Sequence, residues 1–77
     1  MPCRVGITTN PEVRKRQWES QVVGMSNWRI LAEYRSREEA QAHETRYANR
    51  YGCHAHQGGA PASGMWSVYR FDYVRVR

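Results

Sequence analysis

The stretch CRVGITTNPEVRKRQW, residues Cys3 to Trp18, decides how the rest of this chain is read. Residues 3–8 alternate, with Cys3, Val5 and Ile7 on one side and Arg4, Gly6 and Thr8 on the other. A period of two predicts a half-buried strand. Asn10 is a good N-cap, and Pro11, with its fixed φ and no N–H, is a good first helical residue. A helix is therefore expected from Pro11 to about Val22, stopped by Gly24.

The same alternation of strand and helix continues downstream. Residues 28–34 predict a second strand, with Trp28, Ile30, Ala32 and Tyr34 on one face. Ser36 and Glu39 have capping-box spacing, so a second helix is expected from Arg37 to Tyr51, ending at Gly52. Residues 54–64 read as a loop rich in Gly, Ala and Pro. Trp66 to Val76 reads as one long strand, with Tyr69, Phe71 and Tyr73 on one face and Trp66, Val68, Val74 and Val76 on the other. Apolar residues on both faces call for a central place in the sheet. The expected fold is α+β: one small domain over residues 1–77 in the order β-α-β-α-β. Its sheet is three-stranded and mainly antiparallel, with two helices and the C-terminal strand central.

Seventy-seven residues lie near the lower limit for a self-sufficient core, but three Trp, five Tyr and one Phe give large buried area per residue. No run reaches the roughly 18 apolar residues that span a bilayer, and the N-terminus has no secretory pattern. A soluble, cytoplasmic protein without membrane contact is the expectation. Twelve Lys and Arg against seven Asp and Glu leave a net charge of +5, and all but one of the twelve are arginine. Arginine suits bidentate phosphate contact and stacking, so a nucleic-acid partner is favoured over charge that only aids solubility. Cys3 and Cys53 are too few for a disulfide framework, and Cys3 reads as a small buried hydrophobe. The Cys53-His54-Ala55-His56 run, with His43 upstream, lacks the paired spacing of a structural zinc site.

Two charges stand on the wrong helical faces. Glu44 falls inside the stripe formed by Ala40, Tyr47, Ala48 and Tyr51. Arg14 lies one turn before Trp18, on the arc defined by Val13, Trp18 and Val22. A carboxylate facing a core needs a counter-charge, a metal or a cleft, and an arginine can snorkel past a tryptophan. The pair could neutralise each other or flank a phosphate, and spacing leaves both open.

Residues 4–14, RVGITTNPEVR, resemble the second half of the GIY-YIG nuclease signature. That motif has an apolar strand ending in glycine, a threonine-asparagine turn, and an arginine two turns into the helix. Ser36 to Glu44 is similar to the helix that carries the family's metal-binding glutamate, so the likeness spans residues 3–51. The family's first strand is missing from its usual place, since only Met1 and Pro2 precede the match. Arg4 stands where the motif has tyrosine, Ile7 where many relatives have lysine, and Trp18 where histidine is frequent. The apolar-tyrosine pattern of Trp66 to Phe71 could fill the vacant strand in a rearranged domain, with Tyr69 as the missing tyrosine.

The resemblance implies a metal-dependent endonuclease acting on DNA or RNA. Glu44 would hold Mg²⁺ or Mn²⁺, Arg14 would stabilise charge on the phosphoryl oxygens, and Tyr69 would take a proton from water. It implies nucleic-acid contacts from Arg4, Gly6, Thr8, Lys15, Arg16, Trp18, Arg46, Arg50 and Arg70, with Arg75 beside them. A bare backbone at Gly6 would leave space on the sheet for a sugar-phosphate. The competing expectation is a module that keeps the scaffold, binds nucleic acid or blocks a nucleic-acid-handling protein, and does not cut. A third reading makes Cys53 to Gly59 the active loop of some other hydrolase or a metal site. An exposed edge strand on so small a sheet suggests a homodimer, and selectivity could come from a protein partner.

Overall fold

A computed structural model describes residues 2–56 and 64–77. Strand β1 (Cys3–Thr8) leads through a short turn into helix α1 (Pro11–Gln21). The turn is built as its residue types demand. The Thr8 hydroxyl accepts from the Asn10 N–H at 3.1 Å, and the Asn10 side chain accepts from the Val13 N–H at 3.3 Å. After α1 come β2 (Val22–Val23), β3 (Ser26–Tyr34), helix α2 (Arg37–Tyr51), β4 (His54–His56), β5 (Trp66–Asp72) and β6 (Arg75–Val76). The Ser36 hydroxyl accepts from the Glu39 N–H, capping the helix, and donates to the Glu38 carboxylate. Gly52 ends α2 in the left-handed region at φ 69°.

The main sheet has the order β3-β5-β1-β4. Strand β5 runs antiparallel to both β3 and β1, so the C-terminal strand is central as its two apolar faces require. The domain is α+β with two helices, but its sheet is mixed and four-stranded rather than three-stranded. The extra strand is β4, which pairs parallel with β1 from Arg4↔His54 to Gly6↔His56. Residues 54–56 of the expected loop are therefore strand, and residues 57–63 lie outside the described ones. Extending that parallel register one residue back brings Cys3 beside Cys53, and the two form a disulfide with Cα atoms 4.8 Å apart. The expectation that Cys3 is a free buried hydrophobe is corrected. Neither cysteine had a local spacing signal, because the bond joins residues 50 apart in sequence.

The long final strand also divides. Residues beyond Asp72 leave the main sheet, and β6 pairs with β2 as a separate ribbon, Val22↔Val76 and Val23↔Arg75. Val74 and Val76 are exposed there instead of facing a core. In β3 the expected alternation fails as well. Irregularities between Ser26 and Arg29 and between Ile30 and Ala32 rotate successive side chains, so Trp28 packs on one core cluster while Leu31 and Tyr34 pack on the other.

Two clusters make the core, one on each face of the sheet. Under α2 lie Val5, Ile7, Ala40, Cys53, Trp66 and Val68. On the α1 side lie Trp18, Val22, Tyr69, Phe71 and Tyr73, with Met25 and Trp28 packed against them. β1 is thus covered on both faces in its second half, where Gly6 and Thr8 are buried alongside Val5 and Ile7. Val13, placed on the inner arc by sequence, is exposed.

Candidate active site

Tyr69 is the centre of the α1-side cluster. It sits opposite Gly6 in the β1–β5 register, and its ring lies across the glycine. A Cβ at position 6 would fall 2.4 Å from the phenol oxygen and 2.6 Å from Cζ. Glycine is required there because the phenol occupies the volume a side chain would take. The expectation that Gly6 leaves room for a sugar-phosphate is corrected: that room is filled by Tyr69.

Two tryptophans enclose the phenol. Trp18 of α1 donates from Nε1 to the Tyr69 hydroxyl at 2.9 Å. Trp28 of β3 stacks on the Tyr69 ring with centroids 4.7 Å apart and planes 19° from parallel. Tyr69 is 0% exposed and Trp18 6%. Burial raises the phenol's pKa above its ordinary value of 10.0, because the phenolate would lose its water. The Trp18 N–H and the positive charge of Arg14 pull the other way, and the negative charge of Glu44 adds to the rise.

The residues named for catalysis thus come from three elements, β5, α1 and α2, and the charges of Arg14 and Glu44 both act on the Tyr69 phenol. Arg14 is half-buried on α1, one turn before Trp18. Glu44 projects from α2 one turn after Ala40 and is 1% exposed, so the apolar stripe that seemed to include it does.

The residues expected at nucleic acid separate into two groups. Arg4 is beside the cluster, its guanidinium 4.9 Å from the Trp18 ring and 5.7 Å from Tyr73. It is stacked on aromatic faces, which explains how an arginine is accommodated at this strand position. Thr8 is buried and used by the turn to Asn10. On α1, Arg16 is exposed and Lys15 half-buried. Trp18 is structural here, buried against Tyr69 and Phe71 rather than open to a base. Arg46 and Arg50 are exposed on α2, away from Tyr69's cluster. Arg70 is not a free cation: it donates to the Tyr47 hydroxyl at 2.9 Å and forms an ion pair with Asp72. Arg75 is exposed on the ribbon.

Among the described residues no group of three or more His, Cys, Asp or Glu is placed to hold a metal. Glu44 offers one carboxylate, but at 1% exposed it would have to be uncovered before it could hold a magnesium-type ion whose other positions are water and substrate phosphate. Cys53 is committed to the disulfide and His54 is exposed, which removes the thiol from the third reading; Gln57 to Gly59 lie outside the described residues.

Sequence reasoning missed Trp28 as the second wall of the site. Its only signal was an apolar strand position, and the β3 irregularities that turn it toward Tyr69 are tertiary. Among the described residues, no helix is long and apolar enough to cross a membrane. The chain matches no family model, no curated protein and no solved structure.

Proposed function

We propose that this chain is a rearranged GIY-YIG-like domain that hydrolyses phosphodiester bonds of DNA or RNA with a divalent metal. The observation that carries the reading is the convergence at Tyr69. A central strand that is the last of the main sheet in sequence delivers a tyrosine to within electrostatic reach of Arg14 and Glu44. In this reading β5 fills the slot of the family's first strand.

The roles follow from the surroundings. Arg14 bears the positive charge that would meet developing charge on phosphoryl oxygens. Glu44 would hold Mg²⁺ or Mn²⁺, which when bound supplies Lewis acidity at the scissile phosphate. Tyr69 keeps its proton at neutral pH, because its pKa is raised. Its part is therefore to orient water as a neutral phenol, a narrower role than that of general base. Since Trp18 and Trp28 enclose Tyr69, one of them must move before a substrate reaches the phenol, and the buried Glu44 must be uncovered as well.

That same burial favours a second reading, in which the scaffold binds nucleic acid without cutting it. Plasmid and single-strand cleavage with Mg²⁺ or Mn²⁺, run beside Arg14→Ala and Glu44→Gln, separates the two. Cleavage abolished by both substitutions supports the enzyme. Salt-sensitive binding with no cleavage in the unaltered chain rejects the enzyme and supports the module. Selectivity in so small a domain would come from nucleic-acid structure, a second copy or a partner protein. A cytoplasmic site of action belongs to this reading too, and there Cys3 and Cys53 would be held as thiols. Thiol counting on protein taken directly from cells tests that.

A further inference from the structure

The second half of α2 carries a groove of about 450 Å³ lined by His43, Arg46, Tyr47, Arg50 and Tyr51. No carboxylate is among them. The groove stands apart from Tyr69, and its residues recur at helical spacings of three and four, which makes one continuous stripe.

Its parts are held in place from below. Tyr47 receives the hydrogen bond from Arg70, and the Tyr34 hydroxyl lies 3.0 Å from His43 Nδ1. Tyr51 leans on Tyr47 with ring centroids 4.4 Å apart, yet remains 55% exposed. The Arg50 guanidinium is 5.6 Å from the Tyr51 ring. An exposed aromatic ring propped by neighbours, beside cations, is the arrangement that accepts a nucleobase.

The charge pattern asks for an anion. Arg46 and Arg50 are one turn apart on the same stripe, and like charges at that spacing repel. Neither has Asp or Glu three or four positions away, and neither forms an ion pair among the described residues. A bound phosphodiester would remove this repulsion. A compact free phosphate is a poorer fit, because the C-terminal half of a helix carries partial negative charge and gives no compensating stacking.

We propose that this groove is a single-strand nucleic-acid site in which a base stacks on Tyr51 while Arg46 and Arg50 hold the flanking phosphates. The proposal rests on the nucleic-acid part of the proposed function but not on cleavage, so it is tested without metal. Labelled oligo-dT and oligo-U are titrated in EDTA against the unaltered chain, Tyr51→Ala, Tyr51→Phe and the pair Arg46→Gln/Arg50→Gln, with inorganic polyphosphate as a probe that cannot stack. Tyr51→Ala is expected to weaken strand binding by about five-fold or more, and Tyr51→Phe to preserve it. The arginine pair is expected to reduce the salt slope by about 1.4. Polyphosphate binding should ignore Tyr51→Ala and fall with the arginine pair. The proposal is overturned if oligomer binding is indifferent to these variants, or if the chain binds neither oligomer, an outcome that leaves the groove to a protein partner. Cleavage lost while groove binding persists counts only against the nuclease. Cleavage retained while binding ignores the variants counts only against the groove.

Discussion

The two faces of the sheet are built on different principles. The α2 face is aliphatic at its centre, with Val5, Ile7, Ala40 and Val68 closed at one end by the Cys3–Cys53 bond. The α1 face is aromatic, with Trp18, Trp28, Tyr69, Phe71 and Tyr73 in ring contact and Arg4 stacked on the edge of the cluster. Aliphatic packing has no polar tips to satisfy, so almost any volume-conserving arrangement would serve. Aromatic packing with hydroxyl and indole groups must also place hydrogen bonds, and Trp18 to Tyr69 is one such placement. The α1 face therefore carries the tighter aromatic constraint, and Tyr69 and Trp18 of the candidate site lie there.

The largest test of this contrast is Phe71→Ala. The ring contacts Trp18, Trp28 and Tyr73 at centroid distances of 5.3, 5.8 and 6.0 Å, and its removal should cost about 3–5 kcal/mol. Urea unfolding checks the magnitude, and a loss under about 1 kcal/mol would mean the face tolerates a hole it should not. Next is the covalent tie on the opposite face. Cys3→Ser/Cys53→Ser, or reduction of the bond, is expected to lower stability by about 2–4 kcal/mol with little change in the environment of Trp18 and Trp28. Reduction that leaves the urea midpoint unmoved would show that the bond does not stabilise this face.

A smaller and more local effect is expected at Gly6. Overpacking Tyr69 by Gly6→Ala should cost about 1–3 kcal/mol and disturb near-UV circular dichroism from the aromatic face. In a Tyr69→Leu background the same alanine should cost much less. Equal costs in both backgrounds would break the account of why this position is glycine. The smallest effect concerns pH. The folded chain holds the Tyr69 proton more tightly than the unfolded chain, whose phenol titrates near 10.0. Between those two values the folded state binds more protons, so this contribution to stability is complete below about pH 10 and falls as pH rises beyond it. Tyr69→Phe should flatten that part of the curve. An unchanged slope would mean the phenol is not buried as described.

Much of the fold was legible because local chemistry and tertiary packing agree. Asn10-Pro11 opens α1, Ser36 opens α2, Gly52 closes it, and the double apolar face of Trp66 to Phe71 makes β5 central. Arg14 and Glu44 could be singled out because a helix has a fixed angular period, which exposes a charge on the wrong arc. The failures share a cause as well. Strand β4 is three residues long and pairs parallel across distant sequence, so it left no pattern to read. The expected phosphate space at Gly6 was wrong because a missing side chain says only that something is close, not what. Arg70 looked like a surface cation because neither Tyr47 nor the geometry linking it to Asp72 is visible in a list of charges.

By itself the sequence determined the helices, their caps, the central strand and the pair of charges on inward arcs, since each depends on residues within a few positions. Tertiary structure alone decided that Cys3 meets Cys53, that β6 leaves the main sheet, and that Trp28 closes over Tyr69. It also set the charges of Arg14 and Glu44 within electrostatic reach of the Tyr69 phenol, because the separation of residues tens of positions apart is fixed by strand order and register.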